Sequence, residues 1–371
     1  MIFENWKSDF LIRATNNGVS SIVLDQVYPF LTPSYSAAKA DIIQPEARKT
    51  LQQYVEKAVS KTRVEEGLIY LSQHVEIFDR IETEYHVDRH IIAAIWGLES
   101  NYGVIRGNVP VISALATLAA QGRRAPMFEA QLLAAFEIIG QGIRSPEKML
   151  GSWAGAMGHT QFMPKSYIDF AVSASNSVPD IWSKDPADAL FSTAHFLVCH
   201  GWKAEVPWGV PIHVPDNANF HFLRHHPPQG LKSWEALGVL ALQTGGLDYE
   251  ARLILPGGIA SLGFVVSENF NALLNYNNAT AYAIAVGHLA DQLQGAPALI
   301  FPLSGDSRGL TQHEMQFLQS RLTEHGFDTI GSDGFAGPNT EIAIEAFQVA
   351  HSLPVDGFAG LSLLKRLQLD V

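Results

Sequence analysis

Through most of the first 200 residues, apolar side chains recur at spacings of three and four, in stretches such as Ile42 to Val59, Leu68 to Tyr85 and Met127 to Ile139. That period lines one face of a helix and scatters across both faces of a strand, so this half is expected to be helical. From about 203 to 266 the texture changes. Pro207, Pro211, Pro215, Pro227, Pro228 and Pro256 interrupt short apolar runs such as Gly209 to Val214 and Leu262 to Val266, which favours short strands and loops. Helical spacing returns in Ala281 to Leu293, a segment rich in small residues and expected to pack back onto the first helical half.

Residues 295–309, GAPALIFPLSGDSRG, read as a linker. A second domain is expected from about Leu310, and in it the string DGFAG occurs twice, at Asp333–Gly337 and Asp356–Gly360. Each copy follows a helical stretch, and its glycines suit a turn at positive φ, so the repeat indicates a small duplicated helix-turn unit. The expected organisation is a mainly α protein with a region 1–294 that carries a small β-containing insertion, a linker at 295–309, and a small helical module at 310–371.

Charge narrows the partners. The 371 residues hold 25 Lys plus Arg against 37 Asp plus Glu, a net charge of −12, which disfavours phosphate backbones and anionic membrane surfaces. No apolar run reaches the roughly 18 residues of a membrane span. The single cysteine, Cys199, allows no internal disulfide and no cysteine-based zinc site. The opening residues, MIFENWKSDF, lack the basic start and apolar stretch of a secretion leader.

Two segments carry chemistry. In Asp88–Gly103, DRHIIAAIWGLESNYG, Asp88 suits a helix N-cap, Ile91, Ile92, Ile95 and Leu98 form an apolar stripe, and Gly103 suits the stop. Glu99 then falls in the last turn of a nearly uncharged helix, where partial burial and the negative end of the helix dipole both favour a protonated carboxyl, the form a general acid needs. The competing reading is a structural carboxylate bonded to Ser100 or Asn101. In Gly151–Tyr167, GSWAGAMGHTQFMPKSY, small residues between aromatics make a poor helix and a plausible ligand loop. Ser152 and Gln161 can bond sugar hydroxyl or acetamido groups, and Trp153 and Phe162 offer apolar faces; a tightly packed interdomain turn explains the same composition. The tract His213, His221, His225 and His226 is expected to be a solvated loop and not a metal site, for want of an i, i+4 pair on a defined helical face. No nucleotide-binding glycine motif is present, and no cofactor is implied.

Taken together and in this order, IWGLESNYG, QGRRAPMF, GSWAGAMGHTQFMPKSY, the WSKDPADAL to HGW stretch and LLNYNNATAYAIAV resemble the lytic transglycosylases of the membrane-bound B type, glycoside hydrolase family 103, over about residues 1–294. Residues 310–368 resemble the common bacterial peptidoglycan-binding module through LQSRLTEHGF, DGFAGPNT, AIEAFQ and LPVDGFAG. The resemblance implies a lysozyme-like helical core and makes Glu99 the sole catalytic acid and base. It places Ser152, Gln161 and Phe162 on the saccharide loop, with Ser100 beside the catalytic position. Tyr54, Arg123, Arg124, Tyr276, Asn277 and Tyr282 match other cleft positions. Met127 and His195 stand where tyrosines are expected. Some relatives carry a calcium loop after the QFMP segment, but SASNSVPD (173–180) has one acidic residue, Asp180, and no calcium or other metal is expected.

One carboxylate suffices if the substrate supplies its own nucleophile. Ordinary glycosidases need two, and the 151–164 loop holds no second acid. The substrate that the resemblance implies is peptidoglycan, both glycan strands and peptide stems, cleaved between N-acetylmuramic acid and N-acetylglucosamine to leave 1,6-anhydromuramic ends. A hydrolytic muramidase and a non-catalytic murein-binding scaffold are the alternatives. The expected location is the periplasm, with a leader or lipid anchor absent from this sequence.

Overall fold

The structure is a computed structural model that describes residues 2–42, 49–122, 124–215, 218–242, 249–302, 306 and 308–369. It divides into two compact units: Met1–Gln44 with Glu65–Cys199, and Pro45–Val64 with His200–Val371.

The first unit is helical. Its central helix, Val111–Ala120, carries no charge and is buried at every position from Val111 to Ala119. Around it pack Ile2–Asn16, Tyr35–Ile42 and Ala125–Gly140. The Met127 to Ile139 periodicity is thus a helix, whereas Leu68 to Tyr85 is two, Lys61–Gln73 and Val75–Tyr85, broken at His74 with φ −114° and ψ 28°. A side-chain period survives such a break when both pieces face one core. Of the Ile42 to Val59 stretch, Ile42 ends the helix Tyr35–Ile42, residues 43–48 lie outside the described residues, and Leu51–Ala58 is a second helix, begun by a reciprocal capping pair of Thr50 and Gln53.

The second unit is built on a five-stranded antiparallel sheet. Its strands in chain order are β1 Gly209–His213, β2 Gln229–Gly230, β3 Leu240–Ala241, β4 Glu250–Ile254 and β5 Gly263–Val266, and their order across the sheet is β2-β4-β5-β1-β3. The register sets Val210 opposite Val265 and Leu253 opposite Val265, so the apolar residues of three strands meet on one face with Trp234, Phe220 and Leu223. Ala281 to Leu293 lies in the helix Thr280–Leu293, which packs on Leu51–Ala58. It therefore does reach back to the first half of the sequence, but to the one stretch that belongs to the second unit. Its Gly287 admits Trp208: a Cβ there would sit 2.2 Å from the indole, whose Nε1–H donates to Asp291 at 3.1 Å.

The C-terminal module, also in the second unit, has its own core, in which Leu310 packs with Met315, Leu318, Leu322, Ile344, Phe347, Leu364 and Leu367 from the helices Gln312–Glu324, Pro338–Ala350 and Leu361–Leu369. The two DGFAG copies are one device used twice. In the first, the buried Gln319 amide donates to Asp333 Oδ1 at 3.0 Å and accepts from Gly334 N–H at 2.8 Å; in the second, Gln348 donates to Asp356 Oδ1 at 2.7 Å and accepts from Gly357 N–H at 3.0 Å.

One expectation fails in this unit. Residues 220–225, expected as solvated loop, form the helix Phe220–His225, because Asn219 caps it by accepting from Phe222 N–H at 3.0 Å. His221 and His225 are then four residues apart on a helix, the arrangement the sequence reading found missing. His213 ends β1, exposed, and His226 follows the helix.

Candidate active site

The helix Arg89–Ser100 begins as expected, with Asp88 accepting from His90 N–H at 2.7 Å. It ends earlier than expected: Asn101, not Gly103, is the left-handed stop at φ 49°, and Tyr102 and Gly103 continue at φ 56° and 84°. Three successive residues of that handedness turn the chain back beneath the helix end. Gly103 is required in this turn, since a Cβ would lie 2.3 Å from His159 Nδ1. Glu99 sits in the final turn, half-buried.

Under that turn lies a cluster of rings. Trp96 is ringed by Tyr70, His74, Tyr102 and His159, with centroids 5.2 to 5.8 Å away. Trp96 Nε1–H donates to His159 Nδ1 at 3.2 Å, which fixes the tautomer and leaves Nε2–H to donate to the Ser183 carbonyl at 2.9 Å. Burial, reinforced by the nearby Arg106 guanidinium, holds the His159 imidazole below its ordinary pKa, so it stays neutral. Arg106 donates to the carbonyls of Trp182 and Ser183 at 2.9 and 2.6 Å.

Ser100 links the helix to the 151–162 loop. Its hydroxyl donates to the His159 carbonyl in a short bond and accepts from Gly103 N–H at 2.9 Å. With 1% exposure and both capacities engaged, Ser100 is a positioning residue, which corrects its expected place among substrate contacts. The structure therefore brings the Glu99 helix and the loop together through one buried serine.

The loop itself is tightly folded. Met157 pairs with Gly151 and with Phe162, Ser152 Oγ accepts from the N–H groups of Ala154 and Ala156 at 3.3 and 3.1 Å, and Gln161 at φ 56° donates to the carbonyls of Gly158 and Arg106. Ser152 and Gln161 are half-buried. Phe162 is 3% exposed with its ring on Phe196, so its side chain offers no apolar face; Trp153, 40% exposed, does.

The remaining expected contacts are spread over both units. In the first unit, Arg124 is exposed, its guanidinium 5.7 Å from the Phe128 ring; Arg123 lies outside the described residues. His195 Nδ1–H donates to the Phe170 carbonyl at 3.0 Å and Nε2 lies 3.4 Å from Cys199 Sγ, which is a helix-anchoring role. The SASNSVPD segment is held by Asp188, whose carboxylate accepts from Ala174 and Asp180 N–H, each at 2.7 Å. In the second unit, Tyr54 lies half-buried on Leu51–Ala58 and Tyr282, 4% exposed, on the Thr280–Leu293 helix packed against it. Tyr276 ends the helix Glu268–Tyr276 and Asn277 caps it, exposed. Sequence reasoning missed His159 and Arg106. Their signal, a histidine inside the glycine-rich loop and an arginine just after the helix stop, gains meaning only once the fold joins them.

A lysozyme-like helical fold with one carboxylate at the end of a nearly uncharged helix, braced by a glycine-rich loop, defines the class. The chain belongs to the transglycosylase SLT domain family, whose model matches residues 2–291, and residues 311–367 match the putative peptidoglycan binding domain. Membrane-bound lytic murein transglycosylase B of Escherichia coli (strain K12) is 31% identical over 245 residues, 64% of this chain. The match spans 65% of that relative's length. Among solved structures, SltB3 from Pseudomonas aeruginosa in complex with NAG-anhNAM-pentapeptide is 38% identical, with a TM-score of 0.91 over 99% of each chain, and its complex with NAG-NAM-pentapeptide also superposes at 0.91. Soluble lytic transglycosylase SltB1 of the same organism is 28% identical with a TM-score of 0.67, covering 78% of this chain and 99% of that one. Among the described residues no helix is long and apolar enough to cross a membrane.

Proposed function

We propose that this chain is a lytic transglycosylase that cleaves peptidoglycan without water, with Glu99 as its only acid and base. The observation that carries the reading is the anhydro sugar bound by SltB3, a structure that matches this chain along 99% of its length. The Glu99 carboxyl gives its proton to the oxygen joining N-acetylmuramic acid to N-acetylglucosamine, and the bond from that oxygen to C1 breaks. The carboxylate left behind takes the proton of the C6 hydroxyl of the same muramic residue, whose oxygen closes on C1. The products are a 1,6-anhydromuramic end and a free 4-hydroxyl, and Glu99 is protonated again. The substrate acetamido group stabilises positive charge at C1, with Tyr276 or Asn277 in support.

A rigid base serves this double use, because the same oxygen must face the leaving group first and the C6 hydroxyl second. The Ser100–His159 bond and the ring cluster beneath it supply that rigidity. Ser152, Gln161, Tyr54 and Arg124 contact the glycan in this reading, and the C-terminal module holds the peptidoglycan mesh. The site of action is the periplasm.

Mass spectrometry of muropeptides released from sacculi in heavy-oxygen water is the test. Anhydro ends free of label are expected. Labelled reducing ends as the main product assign the enzyme to the hydrolytic muramidases.

A further inference from the structure

Away from Glu99, one group of metal-binding side chains stands within the second unit. His221 and His225 lie one turn apart on the Phe220–His225 helix and point at Glu345 of the module helix Pro338–Ala350. His225 Nε2 is 2.7 Å and His221 Nδ1 3.5 Å from the same oxygen, Glu345 Oε2, and the three ligand atoms all lie within 4.8 Å of one another. Glu345 has a side chain only 8% exposed, whereas both imidazoles are about half exposed, at 52% and 54%.

We infer that His221, His225 and Glu345 form a three-ligand site for a zinc-class divalent cation that ties the C-terminal module to the sheet region. Two imidazoles and one carboxylate suit zinc and its neighbours, and not calcium or magnesium, which take oxygen ligands. Bonds of about 2.0–2.1 Å to a tetrahedral ion separate ligand atoms by about 3.3 Å. His221 already stands near that distance from Oε2, and His225 reaches it by a small rotation of an exposed ring. The fourth position opens to solvent between the two imidazoles and takes a water.

The surrounding charges permit the ion. Arg224 lies 3.5 Å from the other oxygen, Oε1, and 3.1 Å from Glu341, so it holds the carboxylate from the side away from the histidines. Two carboxylates against one guanidinium leave the cluster at −1 with neutral imidazoles, and a divalent ion brings it to +1. Arg224 thereby orients the ligand oxygen, as partners of a metal carboxylate commonly do. The same seam is crossed once more where Ile259 N–H donates to Asp356 Oδ2 at 3.1 Å, in the second DGFAG turn. Arg224 and this hydrogen bond cross the seam without metal, and the cation adds a clamp that strengthens the docking of the module.

The test uses the full chain without an affinity tag, titrated with zinc chloride alone at pH 7.5 in competition with a chromophoric zinc indicator. One equivalent is expected to bind, and the pair His221→Ala/His225→Ala is expected to weaken it by at least about a hundredfold. His213→Ala/His226→Ala is expected to bind as the parent does. Zinc is expected to raise the Tm of the parent and of the control pair, and not that of the His221/His225 pair. Absence of zinc binding by the parent reduces the cluster to an ion pair and overturns the site, as does unchanged binding by the His221/His225 pair. One equivalent bound through these histidines with no rise in Tm overturns the clamp.

Discussion

The turn after Glu99 and the two turns of the C-terminal module solve the same problem with different consequences. Each is a sharp reversal at positive φ whose N–H groups face inward, and each is satisfied by one buried side chain: Ser100 for Gly103, Gln319 for Gly334, Gln348 for Gly357. In the helical unit, the buried serine stands next to a half-buried carboxylate and rests on a bed of rings. In the module, the buried glutamines stand on helices whose inward faces are mostly apolar, Thr340 and Glu345 being the other buried polar groups of the second, and the reversal itself is what faces out, with Phe335 42% exposed. One buried bond fixes a reactive group; the other fixes a surface. Loss of the first should be felt in rate, and loss of the second in stability.

The largest effect expected is on Glu99→Gln. The amide keeps the shape but can neither give nor take the proton, so cleavage of sacculi should fall by about a thousandfold or more with Tm unchanged. Dye release from labelled sacculi and a melting curve measure both, and residual turnover above a few per cent would identify a different acid. Gln319→Leu and Gln348→Leu should do the reverse. The first strands four partners, on Asp333, Gly334, Phe335 and Thr340, and the second three, on Asp356 and Gly357; each should cost at least about 2–3 kcal/mol, visible in denaturant unfolding, while cleavage of short soluble muropeptides stays near the parent rate. Truncation after about residue 300 sharpens the same contrast. The soluble-substrate rate should survive, and retention on sacculi should drop about tenfold or more as the second attachment is lost. Equal retention with lost soluble activity would mean that the module shapes the cleft.

The smallest effect is on acid stability. Burial pushes His288 down to about 4, with its ring accepting from Leu299 N–H at 3.3 Å, and pushes His159 down as well. A histidine held neutral in the fold binds its proton more readily when unfolded. Its contribution is thus complete above the unfolded value near 6.5 and is lost as pH falls from there through about 4 for His288. The whole contribution is at most about 3 kcal/mol. Unfolding midpoints across pH 7 to 4 should show a slope that His288→Gln flattens; an equal slope in that variant would place the acid sensitivity elsewhere.

The helix that carries Glu99 was legible because its cues are local: Asp88 before the stripe, an uncharged face, and a turn-forming tail. The DGFAG turns were legible as turns for the same reason. What holds them was not. Tyr70, His74, Trp96, Tyr102 and His159 are scattered over ninety positions, and no local period links a histidine in a loop to a tryptophan on a helix. Phe162 read as a ligand face because composition cannot tell an aromatic that faces out from one that closes a core. The Phe220–His225 helix was hidden by its proline-rich neighbours, although Asn219 in front of it is an ordinary capping signal.

The chain passes between the two units three times, at 44–45, 64–65 and 199–200. The Leu51–Ala58 helix therefore leaves the ribosome long before Thr280–Leu293, the helix that covers it. At ordinary elongation rates the wait is on the order of ten to forty seconds. During it Leu51 and Val55, buried in the finished protein, have no native cover, while the first unit already has every helix of its own by residue 199. Synthesis thus completes the Glu99 helix and its bracing loop well before the second unit can close. The nascent protein passes through a stage in which the proposed acid is built and the helices Leu51–Ala58 and Thr280–Leu293 have yet to pack.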